Sequence, residues 1–189
     1  MKDSQFIRGK VPMTKEEVRT IILSKLELKS DDNFMDIGAG TGSVSIEAAL
    51  KAPNGKVIAI EHKQEAVDLI AQNCKKHEVG NLNIVHGKAP IGMDNLEAID
   101  KFFIGGSGGN LTDILERIDQ HATDNTIIVT SAIVVDTFID AYQYFKSKDY
   151  ELEVIQVSVN RIDPEKKVAM LIANNPIFIL TAKKQQNES

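Results

Sequence analysis

Apolar and polar positions along this chain follow two rhythms. Val18, Ile21, Ile22 and Leu26 recur at the spacing of one helix face, behind Thr14-Lys15-Glu16-Glu17, which has the form of a capping box with Thr14 at the N-cap. Short runs of β-forming residues then alternate with helical stretches. They are NFMDIG before 41–51, KVIAIE before 63–77, LNIVHG before a short helix after Pro90, KFFIGG before 110–121, and TIIVTSA before 134–147. Five β-α units in succession predict a parallel sheet covered on both faces. After them the rhythm changes. Residues 150–161 and 167–181 read as two long strands joined at Asp163-Pro164-Glu165, which predicts an antiparallel hairpin at the sheet edge. Pro176 cannot donate to a ladder, so an interruption is expected at Asn174-Asn175-Pro176. The expected fold is α/β, a single Rossmann-like doubly wound sheet of about seven strands, mostly parallel, with a C-terminal antiparallel hairpin. Residues 1–189 are expected to form one domain, with the final KKQQNES as a frayed tail.

Composition narrows the partners. With 22 Lys+Arg against 27 Asp+Glu, the net charge is −5, and the chain as a whole repels a phosphate backbone. No nucleic-acid partner is expected. The N-terminal segment, with Arg8, Lys10, Lys15 and Arg19, is a local basic patch suited either to an acidic small molecule or simply to solvent. The single cysteine, Cys74, has no internal disulfide partner and no neighbour of the kind that activates a thiol. No window approaches the roughly 18 apolar residues of a membrane span, so no membrane partner is expected and the cytoplasm is the expected location. No metal-ligand set is read.

The chemistry concentrates in glycine. In a doubly wound sheet, ligands sit at the carboxyl ends of the strands where the strand order reverses, and MDIGAGTGSVSIE falls there. Gly38, Ala39, Gly40, Thr41 and Gly42 form a tight loop at a helix start, where backbone can approach a ligand closely. The spacing departs from a dinucleotide fingerprint, because the third glycine comes one residue early. Asp36 before the loop and Glu61 at the end of the next strand add carboxylates of the kind that bond ribose hydroxyls. A second cluster, Gly105-Gly106-Ser107-Gly108-Gly109, satisfies the G-x-S-x-G of a hydrolase nucleophile elbow. The only later histidine is His121, at the far end of the very next helix, which argues against a triad. The remaining readings are a bare backbone platform that admits something large and flat and offers N–H groups to carboxylates, and a strained turn that needs glycine only for its dihedrals.

The D-x-G-x-G-x-G loop, the acidic end of strand two and the closing hairpin together resemble the class I S-adenosylmethionine-dependent methyltransferases. That resemblance implies S-adenosyl-L-methionine as cofactor. Gly38 to Gly42 would lie at its amino-acid part, Glu61 at its ribose, and Lys88 and Ala89 beside its adenine. FIRGKVPMTKEEVR at 6–19, DIGAGTGSVSIE at 36–47, GKAP at 87–90 and FIGGSGG at 103–109 resemble, more closely, the decarboxylating precorrin methyltransferases of cobalamin biosynthesis. The implied reaction methylates a meso carbon of a tetrapyrrole substrate and removes CO2 from a neighbouring acetate arm. By the same resemblance Thr14 touches the cofactor and the protein is a homo-oligomer, a tetramer. Gly105 to Gly109 would be the acceptor platform, with Gly106, Ser107 and Gly108 against the substrate, and no side-chain catalyst is required. Residues 1–28 would be a segment and helix over the cleft, and Arg8, Lys15 and Arg19 would hold the acid arms. Competing readings are a methyltransferase acting on another small molecule or on RNA, and a non-catalytic cofactor-binding protein of the same fold.

Overall fold

The computed structural model describes residues 1–94, 96–163 and 168–185. The parallel strands are β1 (Phe34–Ile37), β2 (Val57–Glu61), β3 (Leu82–His86), β4 (Lys101–Ile104) and β5 (Ile127–Ala132). They are interleaved with α1 (Glu16–Lys25), α2 (Ser43–Lys51), α3 (Gln64–Lys76), α4 (Leu111–Asp119) and α5 (Val135–Lys146). Two further strands, β6 (Tyr150–Val157) and β9 (Ile177–Lys184), complete a seven-stranded sheet of order β3-β2-β1-β4-β5-β9-β6, with β9 antiparallel to both neighbours.

Side chains alternate across a strand, and this sheet uses both sides. Met35 and Ile37 of β1 and Phe102 and Ile104 of β4 meet Ile114, Leu115 and Ile118 of α4 and Phe145 of α5. Phe34 and Phe103 point the other way, onto Val18, Ile22 and Leu23 of α1 and Val44 and Ala48 of α2. The strand order reverses between β1 and β4, which places the two glycine loops side by side.

Four local expectations are corrected. Thr14 is not the N-cap of α1; Lys15 holds that place, and no side chain caps the helix. The carboxylates needed for a capping box are engaged elsewhere, Glu16 accepting from the Asp3 N–H and Glu17 from Arg161. No helix follows Pro90 directly; a turn leads to a single 3-10 turn at Leu96–Ala98. The long hairpin is cut in two. Beyond β6 and β9 a separate ribbon forms from β7 (Asn160–Ile162) and β8 (Leu171–Ala173). At the cut Asn174 Nδ2 donates to the Val159 carbonyl, and Pro176 interrupts pairing as expected. Of the expected connection, Pro164 and Glu165 lie outside the described residues. Finally, Lys183 and Lys184 belong to β9 rather than to a tail, whose last four residues lie outside the described set.

Candidate active site

A cavity of about 640 Å3 opens at the carboxyl ends of the strands, between the two glycine loops, residues 11–18 and the β7–β8 ribbon. Its floor begins with β1. Gly38 and Gly40 take φ of +75° and +58°, which L side chains rarely adopt, so the chain can fold back tightly before α2. Four N–H groups of this loop are already used. Gly38 and Ala39 donate to Ile60 O at 2.9 and 3.1 Å, and Gly42 donates to Ala39 O. Gly40 donates to Glu61 Oε2 at 2.9 Å. The loop thus offers close approach of bare backbone rather than four free donors.

Glu61 organises the same corner. Its Oε1 accepts the N–H groups of His62 and Lys63 at 2.8 and 2.9 Å, and Oε2 accepts only that of Gly40. Oε2 can accept a further bond, and Glu61 is part of the cavity lining.

The second glycine cluster packs directly on the first. A Cβ on Gly38 would run into the Gly106 main chain, 2.8 Å from its nitrogen. Gly105 and Gly106 both donate to Ile37 O, at 2.9 and 3.2 Å, which removes them as carboxylate donors. Among the described residues no acceptor stands against the N–H groups of Ser107, Gly108 or Gly109. No histidine bonds Ser107 among the described residues: His121 lies beyond the far end of α4, bonded to Arg117 O and outside the cavity lining, and His62, which shares the cavity, has Nδ1 3.1 Å from Glu61 Oε1. The nucleophile-elbow reading ends there. Lys88 crosses the second loop, since a Cβ on Gly108 would fall 2.9 Å from its Cε. Its ammonium is thus carried toward the acceptor-side loop.

Of the residues expected in the site, Thr14, Lys15, Gly38, Ala39, Gly40, Glu61, Lys88, Ala89, Gly105, Gly106, Ser107 and Gly108 line the cavity. The others do not. Arg19 is wholly buried, its Nε donating to Glu47 at 2.6 Å and its terminal nitrogens to Asp3 Oδ1, Thr14 O and Met1 O. It ties the N-terminal segment to α2 and cannot reach a substrate. Arg8 is exposed and outside the lining. Asp36 lies beneath the loop, fully buried, with Oδ2 accepting from the Ser45 hydroxyl and Oδ1 without a partner. Burial lifts its carboxyl to about 7 despite the Ser45 bond, with the Glu61 charge adding to the rise. Thr41 is buried with its carbonyl bonded by Asn73, Gly42 abuts Ile70, and Gly109 is not part of the lining. Cys74 packs beside Phe6 and Met13, and burial raises its thiol pKa, as suits an inert residue.

The sequence reading missed His62 and Lys63, which follow Glu61 into the cavity, and the whole ribbon wall: Arg161, Ile172, Asn174 and Asn175. The lining now carries Lys15, Lys63, Lys88 and Arg161 against Glu17 and Glu61. A chain of net charge −5 thus lines its cavity with an excess of cations.

Sheet order, a glycine loop after β1 clamped by the acid ending β2, and a C-terminal antiparallel strand pair define a class I methyltransferase fold. A family profile described as a precorrin methyltransferase domain matches residues 5–184, and the chain belongs to that family. The chain is 36% identical over 189 residues to cobalt-precorrin-6B C(15)-methyltransferase (decarboxylating) of Salmonella typhimurium, covering 99% of this chain and 97% of that one. Among solved structures, precorrin-6y C5,15-methyltransferase from Geobacter metallireducens superposes with a TM-score of 0.92 at 38% identity, covering 97% and 96% of the two chains. Precorrin 8W decarboxylase from Methanobacterium thermoautotrophicum superposes at 0.89 and 28% identity, covering 96% and 98%.

Proposed function

We infer that this protein transfers a methyl group from S-adenosylmethionine to the C-15 meso carbon of cobalt-precorrin-6B and releases the carboxyl of the C-12 acetate arm as CO2. The observation that carries this reading is the pair of glycine loops packed backbone to backbone in one cation-rich cavity of a precorrin methyltransferase. The residues suit the cofactor. Gly38 and Gly40 leave bare main chain, Glu61 keeps a lone pair for a ribose hydroxyl, and Thr14, Ala39, Lys88 and Ala89 complete that half of the lining. S-adenosylmethionine, when bound, supplies an electrophilic methyl on sulfur.

The chain's own contribution is placement and charge. An electron-rich macrocycle carbon needs no strong base to attack such a methyl; it needs the two partners held in line. The Gly38–Gly106 contact fixes the spacing of the cofactor side and the acceptor side. Gly106, Ser107 and Gly108 give a flat ring room to approach, and Lys15, Lys63 and Lys88 meet acid arms with charge-assisted bonds. Decarboxylation leaves an electron pair that the conjugated ring accepts once the acetate carboxylate is shielded from water. We extend the reading to a homo-oligomer, a tetramer by family resemblance. In support, Ile162, Val168, Met170 and Leu171 on and beside the ribbon are each more than half exposed. Residues 1–28 serve as the wall of one methyltransferase domain.

Incubation with S-adenosylmethionine and cobalt-precorrin-6B tests the reading. The expected product gains one methyl and loses one CO2, with one equivalent of S-adenosylhomocysteine. Methylation of a different acceptor in place of the tetrapyrrole sinks it.

A further inference from the structure

Arg161 of β7 and Glu17 of α1 reach toward each other across the rim of the cavity, from elements 144 residues apart in sequence. The guanidinium donates to Glu17 Oε1 at 2.6 Å and Oε2 at 2.8 Å, and both side chains belong to the lining. This bond holds the Glu17 carboxyl below the usual carboxylate range. Glu16 stands 3.9 Å away but is anchored by the Asp3 N–H. Lys15 stands close enough to act on Glu17 by charge, and Asn174 and Asn175 line the same mouth.

Three features distinguish this pair from a strut. It is exposed, 44% for the Arg161 side chain and 36% for Glu17, and exposed pairs contribute little to stability, so opening it costs little. Glu17 lies in the first turn of α1, where the helix N-terminus favours a carboxylate even without Arg161. The planar fork of Arg161 is the donor geometry that carboxylates prefer, yet Glu17 takes both its bonds from Nη2 alone, and Arg161 is part of the cavity lining. Arg19, by contrast, is sealed beneath the surface with every partner in place.

We propose that Arg161 is a carboxylate-recognising residue for an acid arm of the tetrapyrrole, and that Glu17 occupies its guanidinium as a stand-in until the substrate's own carboxylate displaces it. The proposal rests on the functional reading above and adds to it a named subsite at the mouth. On binding, two N–H···O bonds to Glu17 are exchanged for two to the substrate, and Glu17 turns to water and the α1 N-terminus. Charge is conserved in the exchange. The subsite therefore selects acceptors that carry a carboxylate at this edge and rejects their esters.

The test compares Arg161→Met and Glu17→Gln with the parent by KM and kcat for cobalt-precorrin-6B, S-adenosylhomocysteine affinity and thermal midpoint. Losing a charge-assisted bidentate contact should raise the KM of Arg161→Met by about tenfold to a hundredfold. Its S-adenosylhomocysteine affinity and midpoint should stay within error of the parent. Glu17→Gln removes the competitor's charge and should lower KM, by about twofold to fivefold if the exposed pair is of ordinary strength. Opposite signs for the two variants are the signature of a stand-in. Equal increases in KM, or parallel falls in the midpoint, would identify a structural strut and overturn the proposal. An unchanged KM in Arg161→Met overturns it too, with the functional reading intact. A parent protein that binds neither S-adenosylhomocysteine nor tetrapyrrole overturns the functional reading itself.

Discussion

Gly38 and Gly106 look interchangeable in the sequence and are opposite in the structure. A Cβ on Gly38 has nowhere to go, because the Gly106 main chain fills the space and φ is +75°; one on Gly106 meets nothing nearer than Gly38 Cα at 4.0 Å. Gly38→Ala is expected to lose cofactor and acceptor binding together, at a stability cost of about 3 kcal/mol from overpacking and left-handed strain. Gly106→Val is expected to keep its fold and its S-adenosylhomocysteine affinity while blocking the tetrapyrrole. Calorimetry with S-adenosylhomocysteine and thermal melts on both variants checks the pair, and equal melting losses would refute the asymmetry. Asp36 carries a second residue-scale prediction. Its carboxyl is raised to about 7 chiefly by burial, so the folded chain keeps a proton that the unfolded chain releases. Stability from this group is full at low pH and is lost as pH rises from about 4 to about 7. The melting temperature of Asp36→Asn, relative to the parent, should therefore climb between pH 5 and pH 8. A flat difference would show that Asp36 is ionised throughout or that its proton is immaterial.

One buried cation gathers much of the N-terminal segment, beside the bonds that Glu47, Glu16 and Asn73 make to Met1, Asp3 and Ile7. Arg19 gathers Asp3, Thr14 O, Met1 O and Glu47, and the guanidinium also lies 4.8 Å over the Phe6 ring. Arg19→Met would leave the Glu47 carboxylate, 12% exposed, with only the N-terminal ammonium at 2.9 Å, and the Asp3 carboxylate, 13% exposed, with only Lys15 at 3.7 Å. The expected loss is about 3 kcal/mol, with faster proteolysis within residues 1–14 and weaker cofactor binding as Val11 to Thr14 leave the wall. Intact stability would mean that the segment docks well enough through Phe6, Met13 and the bonds between Ile7 and Asn73. Arg19 also shows where the sequence was hard to read. The elements were legible because five parallel strands and their helices each carry a hydrophobic pattern, and both glycine loops were legible because so many glycines gather at the ends of two β-forming runs. Arg19 was read as a surface cation although it lies on the same stripe as Ile22 and Leu26, because a charge on that stripe is interpretable only when its partners are known. Those partners come from residue 1 to residue 47. Arg161 was invisible for the same reason: its pairing with Glu17 depends on a ribbon whose separation from the main sheet is set by Asn174 and Pro176.

At the scale of the molecule, surface charge and cavity charge have opposite signs, which keeps the acidic exterior from competing for the acidic substrate. The apolar ribbon is the other large-scale feature. If it mediates assembly, Leu171→Lys should lower the mass seen by light scattering while leaving S-adenosylhomocysteine affinity unchanged; an unaltered mass would move the interface elsewhere. The strand order carries a consequence for how the chain is made. β9 is threaded between β5 and β6, and β6 pairs with no other strand. A nascent chain on the ribosome can assemble β1 to β5, yet β5 then ends as a bare edge, with β6 dangling, until residues 177–184 emerge. The two glycine loops near the middle of the sheet are thus built early, while the ribbon wall of the cavity and the lock on the sheet wait for the last strands. A ribosome stalled just short of Ile177 would hold a chain whose two glycine loops have formed but whose sheet edge is open to any passing strand.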